Sequence, residues 1–139
     1  MTGMNEMIIH ESEDPQILEY AQSVQKAGEN LLAIINDILD FSKIESGKLV
    51  LSPVNFKTKP FFRDVLKSME MKCSEKALVF KTSISKNIPS VLYGDDIRLR
   101  QIFFNLLTNA FKYTEKGSVT LCVDCEVIYR TAYLKVTVT

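Results

Sequence analysis

Ile17, Val24, Leu31 and Ile38 recur every seven residues, with Ala21, Gly28, Ile35 and Ser42 falling between them. This is an a/d seam with small residues at several d positions. Leu18, Leu32 and Leu39 widen it to the broader stripe of a four-helix bundle. Asp14 can cap the helix, Pro15 can open it, and Gly47 can close it as its C-cap. A helix from Pro15 to Glu45 is about 46 Å long at ~1.5 Å per residue. Such a helix cannot bury its apolar stripe alone, so the chain must supply or recruit a partner. Met1 to Glu11 reads as the tail of a preceding helix, with Met4, Met7 and Ile8 at helical spacing, and Ser12 to Asp14 as the turn.

Past Gly47 the period changes. Leu49-Val50-Leu51 and Val54 suggest a strand. Pro60 to Ser74 reads as a helix with Phe61, Val65, Leu66 and Met69 inward. Leu78 to Ile84 reads as a strand and Asn87-Ile88-Pro89 as a turn. Val91-Leu92-Tyr93 then leads into a helix from about Asp95 to Thr114. Lys116-Gly117 turns the chain into two closing strands, Ser118 to Ile128 and Ala132 to Thr139. A mixture of this kind, ending in an antiparallel hairpin, predicts an α+β chain. A helical hairpin over 1–48 is followed by a partial α/β sandwich over 49–139, with its helices on one face. No internal repeat or low-complexity segment is present.

On the helix from Asp95, the residues Arg98, Gln101, Asn105, Asn109 and Lys112 are spaced by 3, 4, 4 and 3 and share one face. Leu99, Ile102, Phe103, Leu106, Ala110 and Tyr113 occupy the neighbouring arc and can pack into a core. Asn is a poor helix former, because its amide competes for nearby backbone. Two of them one turn apart, beside a Lys, therefore call for a reason. Carboxamide oxygens are hard ligands suited to Mg²⁺, and an ammonium is a point charge suited to phosphate. The stripe reads as a place for a magnesium-bound polyphosphate, and the competing explanation is a solvated face of a half-buried helix.

The wording of this helix, from Gly94-Asp95 through Arg98-Leu99-Arg100-Gln101-Ile102 to Asn105-Leu106-Leu107-Thr108-Asn109-Ala110-Phe111-Lys112-Tyr113-Thr114, resembles the N box of sensor histidine kinases. Their ATP-binding domain is shared with the Hsp90, gyrase and MutL ATPases. Leu31 to Leu49, including Asn36-Asp37-Ile38-Leu39-Asp40-Phe41-Ser42-Lys43-Ile44-Glu45, is similar to the end of the second dimerisation helix of those kinases. That helix is absent from the Hsp90-type relatives. The resemblance implies a two-component kinase, hybrid or not, whose parent moves the γ-phosphate of Mg-ATP to a histidine and then to a response-regulator aspartate. It implies Asn109 as a Mg²⁺ ligand with Asn105 supporting it, and Lys112 at the phosphates. It sets Tyr113 near the nucleotide, although core packing serves Tyr113 equally well. Arg98 and Gln101 then orient the stripe or touch the partner histidine helix. The implied partners are a second copy, paired through the helical segment, and a receiver domain.

His10 is the only histidine. His10-Glu11-Ser12-Glu13-Asp14-Pro15 matches the family's His-Glu-x-x-x-Pro spacing, but the register set by Gly3-Met4, Pro15, Gly28 and Asp40-Phe41-Ser42 places the phosphoacceptor upstream of Met1. His10 then falls beside the interhelical turn. Three acids around it would also repel an incoming γ-phosphate. No G-x-G occurs in the chain, so the family's glycine-rich boxes are expected after Thr139. The expected behaviour of this polypeptide alone is therefore no autophosphorylation and weak ATP binding at most. The alternative is a dimerisation or interaction module without catalysis, and an Hsp90-like ATPase is a third option.

Seventeen basic and seventeen acidic residues cancel, which argues against nucleic acid or anionic lipid as a partner of the whole chain. No apolar run approaches the ~20 residues that span a bilayer, and the N-terminus lacks a signal-peptide pattern. The expectation is a cytoplasmic chain, from a parent that is attached to a membrane elsewhere or not at all. Cys122 and Cys125 form a C-x-x-C, but no second ligand pair accompanies it. Alternation from Ser118 to Ile128, with Val119, Leu121, Val123, Cys125 and Val127 on one side, also sends the two to opposite faces. They read as ordinary strand cysteines.

Overall fold

The structure, a computed structural model, describes residues 2–139 and separates into two compact units, Met1–Val50 and Leu51–Thr139.

In the first unit α1 (Thr2–Glu11) turns into α2 (Pro15–Glu45). The Asp14 carboxylate accepts a hydrogen bond from the Gln16 N–H at 2.9 Å, and Pro15 takes the first helical position. Both choices satisfy or remove helix-end donors that would otherwise lack partners. At the far end Ser46, rather than Gly47, is the C-cap, and Gly47 follows it at φ 66°. The Lys48 N–H reaches back to the Lys43 carbonyl at 2.8 Å across that left-handed residue, a closure that favours glycine. Asn5 ties the helices together by donating from Nδ2 to the Ala21 carbonyl at 2.7 Å. Ala21 is the one buried apolar residue among those described in this unit. Along the seam Ile17, Val24, Leu31 and Ile38 are between 46% and 60% exposed.

The second unit begins with β1 (Val54–Lys57), which pairs antiparallel with β3 (Val91–Gly94) in a two-stranded sheet. A three-stranded sheet runs in the order β2 (Val79–Ile84), β4 (Ser118–Ile128), β5 (Thr131–Val138). The β2–β4 pair is parallel and the β4–β5 pair antiparallel. Two helices, α3 (Thr58–Ser74) and α4 (Asp96–Tyr113), cover one face of this sheet. Val119, Leu121 and Val123 of β4 point to them and are buried, while the alternate residues Cys122 and Asp124 are exposed. Against those valines and leucine pack Val65 and Met69 of α3 and Phe103, Leu107 and Phe111 of α4. Phe62 and Phe103 meet edge to face with ring centres 5.6 Å apart, the arrangement that aromatic quadrupoles favour.

The α+β class and the closing hairpin are as the sequence predicts. Four details differ. Leu49–Leu51 forms no strand; Val50 is 81% exposed, and pairing starts at Val54. The third helix begins at Thr58, two residues before Pro60, because the Thr58 side chain and N–H donate to the carbonyls of Pro89 and Ser90. On α4 the buried stripe is Phe103, Leu107 and Phe111 with Leu99 and Ala110 beside it, so Ile102, Leu106 and Tyr113 are exposed rather than core residues. Lastly, Val127 is exposed, because the buried run of β4 ends at Cys125.

Candidate functional site

Everything that positions the polar stripe starts at the N-terminus of α4. Asp95 is its N-cap, and one carboxylate oxygen accepts the Arg98 N–H at 3.0 Å. The other accepts the Ser52 N–H at 2.9 Å. These two N–H groups, Ser52 first, hold the Asp95 carboxyl below the usual aspartate range, since hydrogen bonds to the charged form favour it. The helix then runs unbroken from Asp96 to Tyr113, with Asp96 in its first turn and Lys112 in its last, as the helix dipole favours. At its C-terminus the Lys76 ammonium donates to the Phe111 carbonyl at 2.9 Å and approaches the Lys112 carbonyl at 3.4 Å. Lys76 is a support that sequence reasoning missed, for nothing in its local pattern signals a contact 35 residues away.

With α4 continuous, Asn105, Asn109 and Lys112 share one face. All three are exposed, and they stand opposite the buried Phe103, Leu107 and Phe111. Arg98 and Gln101 extend the same face toward the N-terminus, half-buried, with Arg98 Nη1 donating to Gln101 Oε1 at 2.8 Å. Among the described residues no side-chain hydrogen bond engages either Asn carboxamide. The Lys112 ammonium lies 5.5 Å from the centre of the Tyr113 ring, which is itself exposed. Beside the first turns of α4 lies a cleft of ≈ 780 Å³, reached by Arg98, Leu99 and Ile102 and walled by Ala132 and Leu134 of β5.

Chemically, Asn105, Asn109 and Lys112 offer two neutral oxygen donors one turn apart and one exposed cation. No cluster of three His, Cys, Asp or Glu able to hold a metal occurs among the described residues. Two carboxamides are too few to cage Mg²⁺, but they fit an ion that arrives with waters and phosphate oxygens already bound. His10 is exposed in the last turn of α1, next to the interhelical turn. Cys122 is exposed and Cys125 buried, and both are free, as is the buried Cys73.

Residues 1–47 match the His Kinase A (phospho-acceptor) domain. Over 105 residues, 76% of this chain, the sequence is 41% identical to the sensor protein GacS of Pseudomonas syringae pv. syringae. The chain belongs to the sensor histidine kinases. It is also 34% identical, over 122 residues and 88% of its length, to the signal transduction histidine-protein kinase BarA of Escherichia coli K12. Among solved structures it superimposes on full-length ShkA, crystallised with AMPPNP, with a TM-score of 0.69 at 28% identity over 91% of this chain and 27% of ShkA. The chain spans 12% of GacS and 13% of BarA. No helix among the described residues is long and apolar enough to cross a membrane.

Proposed function

We propose that this chain is the portion of a two-component sensor histidine kinase that pairs two subunits through α1 and α2 and presents one wall of the nucleotide site on α4. The parent transfers the γ-phosphate of Mg-ATP to a histidine and then to a response-regulator aspartate. One observation carries the reading: Asn105, Asn109 and Lys112 stand on successive turns of one exposed helix face, opposite the buried stripe. The AMPPNP complex of ShkA supports a nucleotide as the ligand.

In this reading Asn109 supplies a carboxamide oxygen to Mg²⁺ and Asn105 supports it from one turn earlier. Lys112 meets phosphate oxygens, and Tyr113 lies beside the nucleotide with its ring under the Lys112 ammonium. Arg98 and Gln101 hold each other and fix the N-terminal end of the face. Magnesium, when bound, neutralises and aligns the polyphosphate; the protein's share is positioning and charge. The reading assigns phosphoacceptor duty to a histidine other than His10 and sets the chain in a reducing cytoplasm, in keeping with its free cysteines.

These 139 residues contain no G-x-G phosphate loop, so the polypeptide alone is expected not to autophosphorylate and to bind Mg-ATP weakly. Calorimetric titration tests this, and micromolar affinity contradicts it. The exposed seam of α2 favours a second reading, a pairing module without catalysis. A polypeptide extended through the glycine-rich boxes separates the two: the kinase reading requires radiolabelled phosphate to enter the protein, and a pairing module takes up none.

A further inference from the structure

A second groove, of ≈ 1050 Å³, lies on the second unit between α3 and the β2–β3 connection. Leu66 of α3 and Ile84 and Ile88 of the facing segment make it apolar, and all three are half-buried. Four exposed cations, Lys59, Arg63, Lys67 and Lys86, line it against a single carboxylate, Glu70. Arg63 Nε lies 3.5 Å from Asp64, but both side chains are mostly exposed, so the pair neutralises little. Lys59 sits in the first turn of α3, which holds no acidic residue and lacks a side-chain cap. The dipole there favours an anion, so Lys59 works against its own helix and reinforces a positive rim. Thr58 fixes the groove's end by donating to the Pro89 carbonyl at 2.8 Å. The groove is therefore built before any partner arrives.

We propose that this groove docks an acidic amphipathic helix of a partner protein. Lys59, Arg63 and Lys67 follow one another at four-residue intervals, a cationic line about 12 Å long beside an apolar trough. A helix laid in such a trough buries residues at i, i+3, i+4 and i+7 and turns its flanking carboxylates to the rim. The charge imbalance selects an acidic helix over a basic one and makes association depend on salt. The site is separate from the α4 face and does not depend on the kinase reading.

Fluorescence anisotropy with a labelled four-turn Leu/Glu amphipathic peptide tests it on the full 139-residue chain. Saturable binding at one peptide per chain is expected, with no binding of the Leu/Lys counterpart. Arg63→Glu with Lys67→Glu should weaken binding by at least about tenfold, and Ile88→Ser should weaken it without any change of charge. The equal charge change Lys116→Glu with Lys135→Glu, outside the groove, should leave it within about twofold. Circular dichroism confirms that each variant folds. Absence of peptide binding overturns the proposal, and so does an equal loss in the control reversal. It is also overturned if vesicles of phosphatidylcholine with phosphatidylglycerol bind the chain, lose binding on the groove reversal, and the peptide does not compete.

Discussion

The Asp95 carboxylate joins Ser52 to the first turn of α4, accepting the Ser52 N–H at 2.9 Å and the Arg98 N–H at 3.0 Å. One side chain thus caps the helix that carries the polar face and anchors the segment that leads into β1. Because these bonds lower its pKa, the folded state favours ionised Asp95. The stabilisation is complete above the ordinary aspartate value of about 3.9 and disappears as pH falls through the lower folded value. Thermal melts from pH 6 to 2 should therefore show a smaller acid-induced fall for Asp95→Asn, whose amide can still cap, than for the wild type. Equal slopes contradict the assignment.

The two apolar arcs of α4 make opposite predictions. Phe103 is fully buried, so Phe103→Ala should cost about 3–5 kcal/mol in chemical denaturation. Ile102, one residue earlier and 52% exposed, should change stability by less than about 1 kcal/mol on the same replacement. Reversed magnitudes would put Ile102, not Phe103, in the core.

Leu31 and Ile38 are more than half exposed on α2, where an isolated hairpin gains nothing from them. Leu31→Asp with Ile38→Asp should convert a dimer to a monomer in sedimentation velocity while the second unit keeps its melting behaviour. A wild-type monomer at the concentrations used would remove pairing from the account.

His10 is exposed in the last turn of α1, four residues before Asp14, the N-cap of α2. In a polypeptide that carries the glycine-rich boxes, His10→Gln should leave phosphate incorporation unchanged. Loss of the label would make His10 the acceptor.

How much of this was legible in the sequence depends on whether the signal was local. Asp14-Pro15 and Gly47 mark the ends of α2 by chemistry confined to a few residues, and the structure ends the helix within two residues of both marks. The apolar triplet Leu49-Val50-Leu51 misleads because a strand exists only where another pairs with it, and the partner of Val54–Lys57 lies 34 or more residues away at β3. On α4, periodicity established the polar face but not the buried one. Ile102 and Leu106 are as apolar as Leu107 and Phe111, and only the sheet decides which of them join Phe103 in the core. The support of the α4 C-terminus by Lys76 is likewise invisible without the fold.

Paramagnetic broadening reads directly whether the α4 face holds a metal-chelated polyphosphate. In a polypeptide extended through the glycine-rich boxes, Mn²⁺ with ADP should erase the side-chain amide signals of Asn105 and Asn109. Those of Asn55 and Asn87 should be spared, and excess Mg²⁺ should restore what was lost. Undiminished Asn105 and Asn109 signals at saturating nucleotide would contradict the account.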